Sequence, residues 1–170
     1  PLLPGFKYVP FNDLSSLRAA VDSKTCAVML EPVQGEGGVY PANKDYLQAV
    51  RTLCDDEGLL LIFDEIQCGL GRTGHLFAYQ YYEVEPDIVT LAKALAGGLP
   101  IGAMLAKEQV ASAFGPGDHA STFGGNPLVT AAGAAALKAL LSEGLVDNAR
   151  TLGQYFYRQL LQLAREFPQL

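Results

Sequence analysis

The sequence predicts an α/β domain built on a mainly parallel sheet in three layers, with a last helix leading away towards a second, smaller domain. Three observations predict it. Short apolar runs at residues 26–30, 59–63 and 88–91 alternate with stretches whose apolar residues recur at helical spacing, the pattern of strands joined by helical crossovers. One connection, Gly97-Gly98-Leu99-Pro100 between the runs at 88–91 and 101–105, is too short for a helix, so that pair must be antiparallel. Finally, 49% apolar and 18% charged residues in a chain of 170 give an ordinary globular balance and enough chain for one sizeable core.

Taken in order, residues 6–9 read as a short strand. Leu14, Leu17 and Val21 follow at helical spacing, with Asn12 or Asp13 as the cap. Residues 26–30 read as a buried strand, and Gly35 to Gly38 as a glycine-rich turn. Asn43 then caps a helix whose Tyr46, Leu47, Val50, Leu53 and Cys54 share one face, ended by Gly58. Strands follow at 59–63, 88–91 and 101–105. Asn126 before Pro127 is a helix start, and the alanine-rich stretch 129–141 lets that helix pack closely before Gly144 ends it. In the last helix Ala149, Leu152, Phe156, Leu160 and Leu163 recur at three- and four-residue steps. Residues 1–144 are therefore assigned to the sheet domain and 145–170 to the helix entering the smaller one.

Composition removes several function classes. A net charge of −6, with no run of lysines or arginines, repels phosphate backbones and argues against nucleic acid as a partner. The longest apolar stretch, near residues 131–141, is broken by Lys138 and falls well short of the roughly 20 residues of a membrane span, so no membrane partner is expected. Cys26, Cys54 and Cys68 are widely spaced, and neither His75 nor His119 stands near a cysteine pair. Reduced thiols in a cytoplasmic compartment are expected, and no metal site. The first ten residues carry no targeting signal and read as the middle of a chain, which leaves a mitochondrial or plastid location open.

The residues that carry chemistry stand where apolar strands end. Asp64 and Glu65 directly follow the run 59–63, at the carboxyl end of a strand, where open α/β sheets place ligands. Charged residues also end buried strands simply because the chain meets water there. Lys93 closes the run 88–92 with no carboxylate within five residues on either side. Burial there would favour the neutral amine that attacks an aldehyde, although a lysine at a strand end often just snorkels to the surface. The pair says more than either member. An enzyme using pyridoxal 5'-phosphate needs a lysine to bond the cofactor's aldehyde and a carboxylate to keep its pyridine nitrogen protonated. Gly69, Gly71 and Gly74 also fit the G-x-G-x-x-G pattern of dinucleotide loops, but the segment begins five residues after the strand, opens no helix, and lacks an acidic residue at the end of the next strand.

Four segments together resemble the class III aminotransferases of fold type I: Glu31-Pro-Val-Gln-Gly-Glu36-Gly, Phe63-Asp-Glu-Ile-Gln67-Cys-Gly-Leu-Gly-Arg-Thr-Gly74, Leu91-Ala-Lys93-Ala-Leu-Ala-Gly-Gly, and Ser121-Thr-Phe-Gly-Gly-Asn-Pro127. They occur in the family's order and cover most of the chain. The resemblance implies the large domain of fold type I, incomplete here, with pyridoxal 5'-phosphate as cofactor. By position, it implies Lys93 as the amine bonded to the cofactor and the proton shuttle, and Asp64 as partner of the pyridinium. Asp64, Glu65, Ile66, Gln67, Lys93 and Thr122 would form the cofactor site, with Gln67 at the ring's phenolic oxygen. Thr122 would reach the phosphate in the other subunit of a homodimer with shared active sites. Ser121 would touch the substrate, and Glu36 would act as a gate carboxylate that pairs with a distant arginine until an acidic substrate arrives. Glu31 would support the site structurally.

The implied reaction is transamination of N-acetylornithine with 2-oxoglutarate, within arginine biosynthesis. Ornithine, succinylornithine and 4-aminobutyrate are alternative donors, and a truncated chain that only binds a full-length subunit is an alternative of another class. The family's chains are more than twice as long. The resemblance therefore implies that the glycine-rich phosphate loop, the stacking aromatic ring, the substrate-gripping arginine and two strands are missing, which would leave this piece inactive alone with apolar edges exposed.

Overall fold

A computed structural model describes residues 3–169. In chain order it contains α1 (Leu14–Ala20), β1 (Ala27–Leu30), β2 (Val33–Gln34), β3 (Tyr40–Pro41), α2 (Lys44–Glu57), β4 (Leu60–Asp64), α3 (Tyr79–Tyr82), β5 (Ile88–Leu91), a 3-10 turn (Lys93–Ala96), β6 (Ala103–Ala106), α4 (Glu108–Ala111), α5 (Pro127–Ser142) and α6 (Leu145–Glu166). The main sheet runs β1-β4-β5-β6. β1, β4 and β5 are parallel, and β6 is antiparallel to β5 as expected, although β6 begins at Ala103 instead of residue 101 and the whole segment 92–102, with the 3-10 turn inside it, joins it to β5.

The core lies between this sheet and α2. Asn43 precedes α2 without a side-chain capping bond, and Gly58 ends it at φ 67, a left-handed conformation that suits glycine. Leu47, Val50 and Cys54 are fully buried on its inner face and close over Val28, Leu61 and Phe63. Each such aliphatic side chain contributes about 1.5–3 kcal/mol by leaving water. Asp13 caps α1 by accepting from the Ser16 amide at 3.0 Å. α5 packs on the 3-10 turn after β5, with buried Gly133 facing the Leu95 carbonyl.

At the amino-terminal end of the strands, one carboxylate ties four elements together. Asp87 accepts from the Leu61 amide at 2.8 Å, from Arg51 of α2 at 2.9 Å and from Lys107 after β6 at 3.1 Å. Burial opposes its charge, but these three donors outweigh burial and hold the carboxyl below its ordinary value.

Several expectations need correction. Residues 6–9 pair with no strand; Phe6 and Tyr8 are exposed, so nothing rewards an extended ladder there. The strand expected at 26–30 is buried only at Val28, Cys26 is exposed, and Met29 is 56% exposed, because the helical layer covers only alternate residues. The third strand runs one residue later than expected, so Asp64 ends it rather than following it. The β2–β3 hairpin and the 3-10 turn were not legible in the apolar pattern, both being shorter than its period. Burial pushes the Cys54 thiol up to about 11 and the Cys68 thiol up to about 12, so neither is a reactive thiolate. Among the described residues no single helix is long and apolar enough to cross a membrane, and no three His, Cys, Asp or Glu side chains gather as metal ligands.

Candidate active site

β4 and β5 deliver Asp64 and Lys93 to the same end of the sheet. Their register sets Asp64 beside Thr90, and the Glu65 amide donates to the Thr90 carbonyl at 3.0 Å, extending the ladder by one bond. Lys93 follows three residues after Thr90. With strands about 4.8 Å apart and about 3.4 Å of rise per residue, its Cα stands within about 12 Å of that of Asp64. The two groups therefore stand near the same end of the sheet.

The alternation of a strand separates the two neighbouring carboxylates. Asp64 shares the face of Ile62, with Thr90 beside it. Its Oδ1 accepts from the Ile66 amide at 2.9 Å, a local turn that fixes the carboxylate and leaves Oδ2 without a donor among the described residues. Glu65 points into the core. It is 1% exposed, and its two oxygens accept from the Ala78 and Tyr79 amides at 2.7 and 2.8 Å. Burial raises its carboxyl above the ordinary value, against the lowering effect of those two amides. The cofactor contact expected of Glu65 is thus corrected for its side chain, which is committed to holding the loop after β4.

Lys93 is exposed, so the burial expected to neutralise its amine is absent. It opens the 3-10 turn at φ 45, a left-handed conformation that a lysine adopts only when its surroundings impose it. Here α5 braces that turn at Leu95, as described above. Among the described residues Lys93 forms no ion pair.

A second pair stands on the glycine-rich turn. The Gln67 side-chain amide donates to Glu36 Oε2 at 3.2 Å, while Glu31 Oε2 accepts from the Gly35 amide at 3.1 Å, the supporting contact foreseen for Glu31. A Cβ at Gly35 would stand 2.7 Å from Gln67 Oε1, so a side chain there would displace the Gln67 carboxamide. Glu36 and Gln67 are thus brought together. Ser121 and Thr122 are both exposed and bond to none of these residues; among the described residues Ser121 Oγ accepts from the nearby Gly124 amide at 3.1 Å.

The glycines at 69–74 have another use than phosphate. A Cβ on Gly71 would meet Leu140 at 3.0 Å, and one on Gly74 would meet Arg150 at 2.8 Å. Close packing on α5 and α6 therefore explains Gly71 and Gly74, while a Cβ on Gly69 would stand 2.8 Å from the Glu65 carbonyl oxygen; Arg150 seals the loop by donating from Nε and Nη2 to the Gly74 carbonyl at 2.9 and 2.6 Å. Arg150 escaped sequence reasoning because its partner is 76 residues away. Thr90 escaped too, although a hydroxyl inside the apolar run 88–91 was a signal.

Asp64 thus offers a carboxylate with one open oxygen and Lys93 an amine without a counter-ion at the same end of the sheet. The chain is similar to known proteins in both sequence and structure. A model of the family described as "Aminotransferase class-III" matches residues 3–169. The acetylornithine aminotransferase of Methanocaldococcus jannaschii is 56% identical over 169 residues, covering 98% of this chain and 42% of that protein. The structure of Plasmodium falciparum ornithine delta-aminotransferase superposes with a TM-score of 0.91 at 43% identity, over 97% of this chain and 43% of that one. The acetylornithine aminotransferase structure from Elizabethkingia anophelis gives 0.91 at 40% identity, over 96% and 44%. The chain spans less than half the length of these relatives.

Proposed function

Because the chain belongs to the class III aminotransferases, we propose that the protein carrying it moves the terminal amino group of N-acetylornithine to 2-oxoglutarate, with pyridoxal 5'-phosphate as cofactor. One observation carries the chemistry: neighbouring parallel strands bring Asp64 and Lys93 to one rim. The identity of 56% with a protein named acetylornithine aminotransferase supports the donor. When bound, the cofactor supplies an electron sink for the carbon that carries the amino group.

The chain's residues supply the rest. Asp64 Oδ2, open while Ile66 holds Oδ1, would face the ring nitrogen of the bound cofactor and favour its protonated form. Lys93 Nζ would take the proton from the amine-bearing substrate carbon and hold it until it is delivered back. Gln67 would orient the ring through its carboxamide, and the Ile66 amide fixes Asp64. Glu36, held by Gln67 at 3.2 Å, screens the site from an acidic substrate until that substrate displaces it. Thr122 and Ser121, on the exposed segment before α5, complete the site of a second subunit in a homodimer. Residues 1–144 belong to the cofactor-binding large domain, and 145–170 form the helix entering the small domain.

In the full-length protein, Lys93→Ala should abolish the visible absorbance band of the lysine-bonded cofactor and lower turnover by about a thousand-fold or more. Survival of either would refute the reading. Ornithine is the second donor to test, given the 43% identity and TM-score of 0.91 to an ornithine delta-aminotransferase. A kcat/KM higher for ornithine than for N-acetylornithine would move the assignment there.

A further inference from the structure

Three buried side-chain polar atoms lack a hydrogen-bond partner among the described residues: Arg51 Nε, His75 Nδ1 and Thr90 Oγ1. Two are accounted for by their surroundings. Arg51 is satisfied through its other two nitrogens, bonded to Asp55 and Asp87. His75 lies against the Tyr81 ring, with centroids 5.8 Å apart, on the loop closed by Arg150. Thr90 is different. A buried hydroxyl without a partner costs stability, and a valine of the same shape would fill the position without that cost, so its presence calls for a use.

That use is next door. Thr90 is the register partner of Asp64, both side chains leave the sheet on the same face, and adjacent strands are about 5 Å apart. Asp64 Oδ1 is taken by the Ile66 amide, whereas Oδ2 has no donor. One residue thus has a donor without an acceptor, and its neighbour has an acceptor without a donor. A threonine hydroxyl moves between staggered positions by turning about Cα–Cβ alone, with no change in backbone. We propose that Thr90 is a positioning residue whose hydroxyl donates to Asp64 Oδ2, fixing the carboxylate plane for the cofactor's ring nitrogen. The inference rests on the reading of Asp64 given above.

The test uses the full-length holoenzyme and its cofactor-free form, with Thr90→Val and Thr90→Ser. Thr90→Val should weaken pyridoxal 5'-phosphate binding by about ten-fold, measured by equilibrium reconstitution, and should move the pH midpoint of the bound cofactor's visible absorbance. The melting temperature of its cofactor-free form should change little, since valine keeps the shape of the side chain. Thr90→Ser should restore both affinity and midpoint. Affinity and midpoint of wild type in Thr90→Val would overturn the proposal, as would equal damage from valine and serine, which would indicate packing instead. Should Thr90→Val not fold, Thr90→Ala against Thr90→Ser decides by the same two readouts. If Lys93→Ala keeps the absorbance band of the lysine-bonded cofactor, the underlying reading fails; a lost band in Lys93→Ala beside an unaffected Thr90→Val sinks only the role of Thr90.

Discussion

The two ends of the sheet handle polar groups in opposite ways. At the amino-terminal end, Asp87 is 7% exposed and receives an amide, a guanidinium and an ammonium. At the carboxyl-terminal end, Asp64 has an oxygen without a donor, Thr90 a hydroxyl without an acceptor, and Lys93 an exposed amine on a left-handed backbone. One end is closed by its own side chains, while the other keeps its bonding capacity open. Stability thus resides at the first end, while the second is the end at which open α/β sheets bind their ligands. Within the second end the same contrast separates adjacent residues: Glu65 is fully bonded and inward, Asp64 half-bonded and outward.

The comparison breaks most readily at Asp87. Asp87→Ala would strand the Arg51 guanidinium and the Leu61 amide, at a cost of about 3–5 kcal/mol. A fall in melting temperature should appear, and cofactor binding should change only through lost folding. An unchanged melting temperature would mean that the closed end does not carry stability. Glu65→Gln tests the inner carboxylate. A carboxamide offers one acceptor oxygen where two amides donate, and it points an N–H at the other, so about 2 kcal/mol should be lost. Chemical denaturation reads this loss directly, and a neutral result would remove Glu65 as the anchor of the loop after β4.

The difference between the ends also explains what could be read from the sequence. The α2 face from Tyr46 to Cys54 and the strand at 88–91 were legible because burial imposes a period on consecutive residues. Asp64, Gln67 and Lys93 stood out by their place after apolar runs and by the segments around them. Burial at 26–30 and pairing at 6–9 were not legible, since both depend on which surfaces other elements cover. Nor was the inward turn of Glu65. It follows from β4 running one residue further, which sends consecutive carboxylates to opposite faces. The bonds of Arg150 to Gly74 and of Asp87 to Leu61 join residues 76 and 26 apart, and no local pattern announces them.

The smallest expected effect is the pH dependence of the closed end. In the fold, the donors around Asp87 hold its carboxyl below its ordinary value, and the unfolded chain restores a value near 3.9, approximately that of a free aspartate. The folded state therefore binds fewer protons in that range. The stability contributed by the ionised group is complete above about pH 4 and is lost as the pH falls through the lower folded value. Asp87→Asn keeps an acceptor for Leu61 while removing the charge, so the difference in unfolding free energy between the two proteins should be constant from neutral pH to about 5 and shrink steadily below 4. Asp13, held down to about 2 by its Ser16 and Ser15 hydrogen bonds, contributes equally to both proteins and cancels from the difference. A gap that stays constant or widens in acid would show that Asp87 acts through shape alone, and the contrast between a charged, closed end and an open, reactive one would lose its electrostatic half.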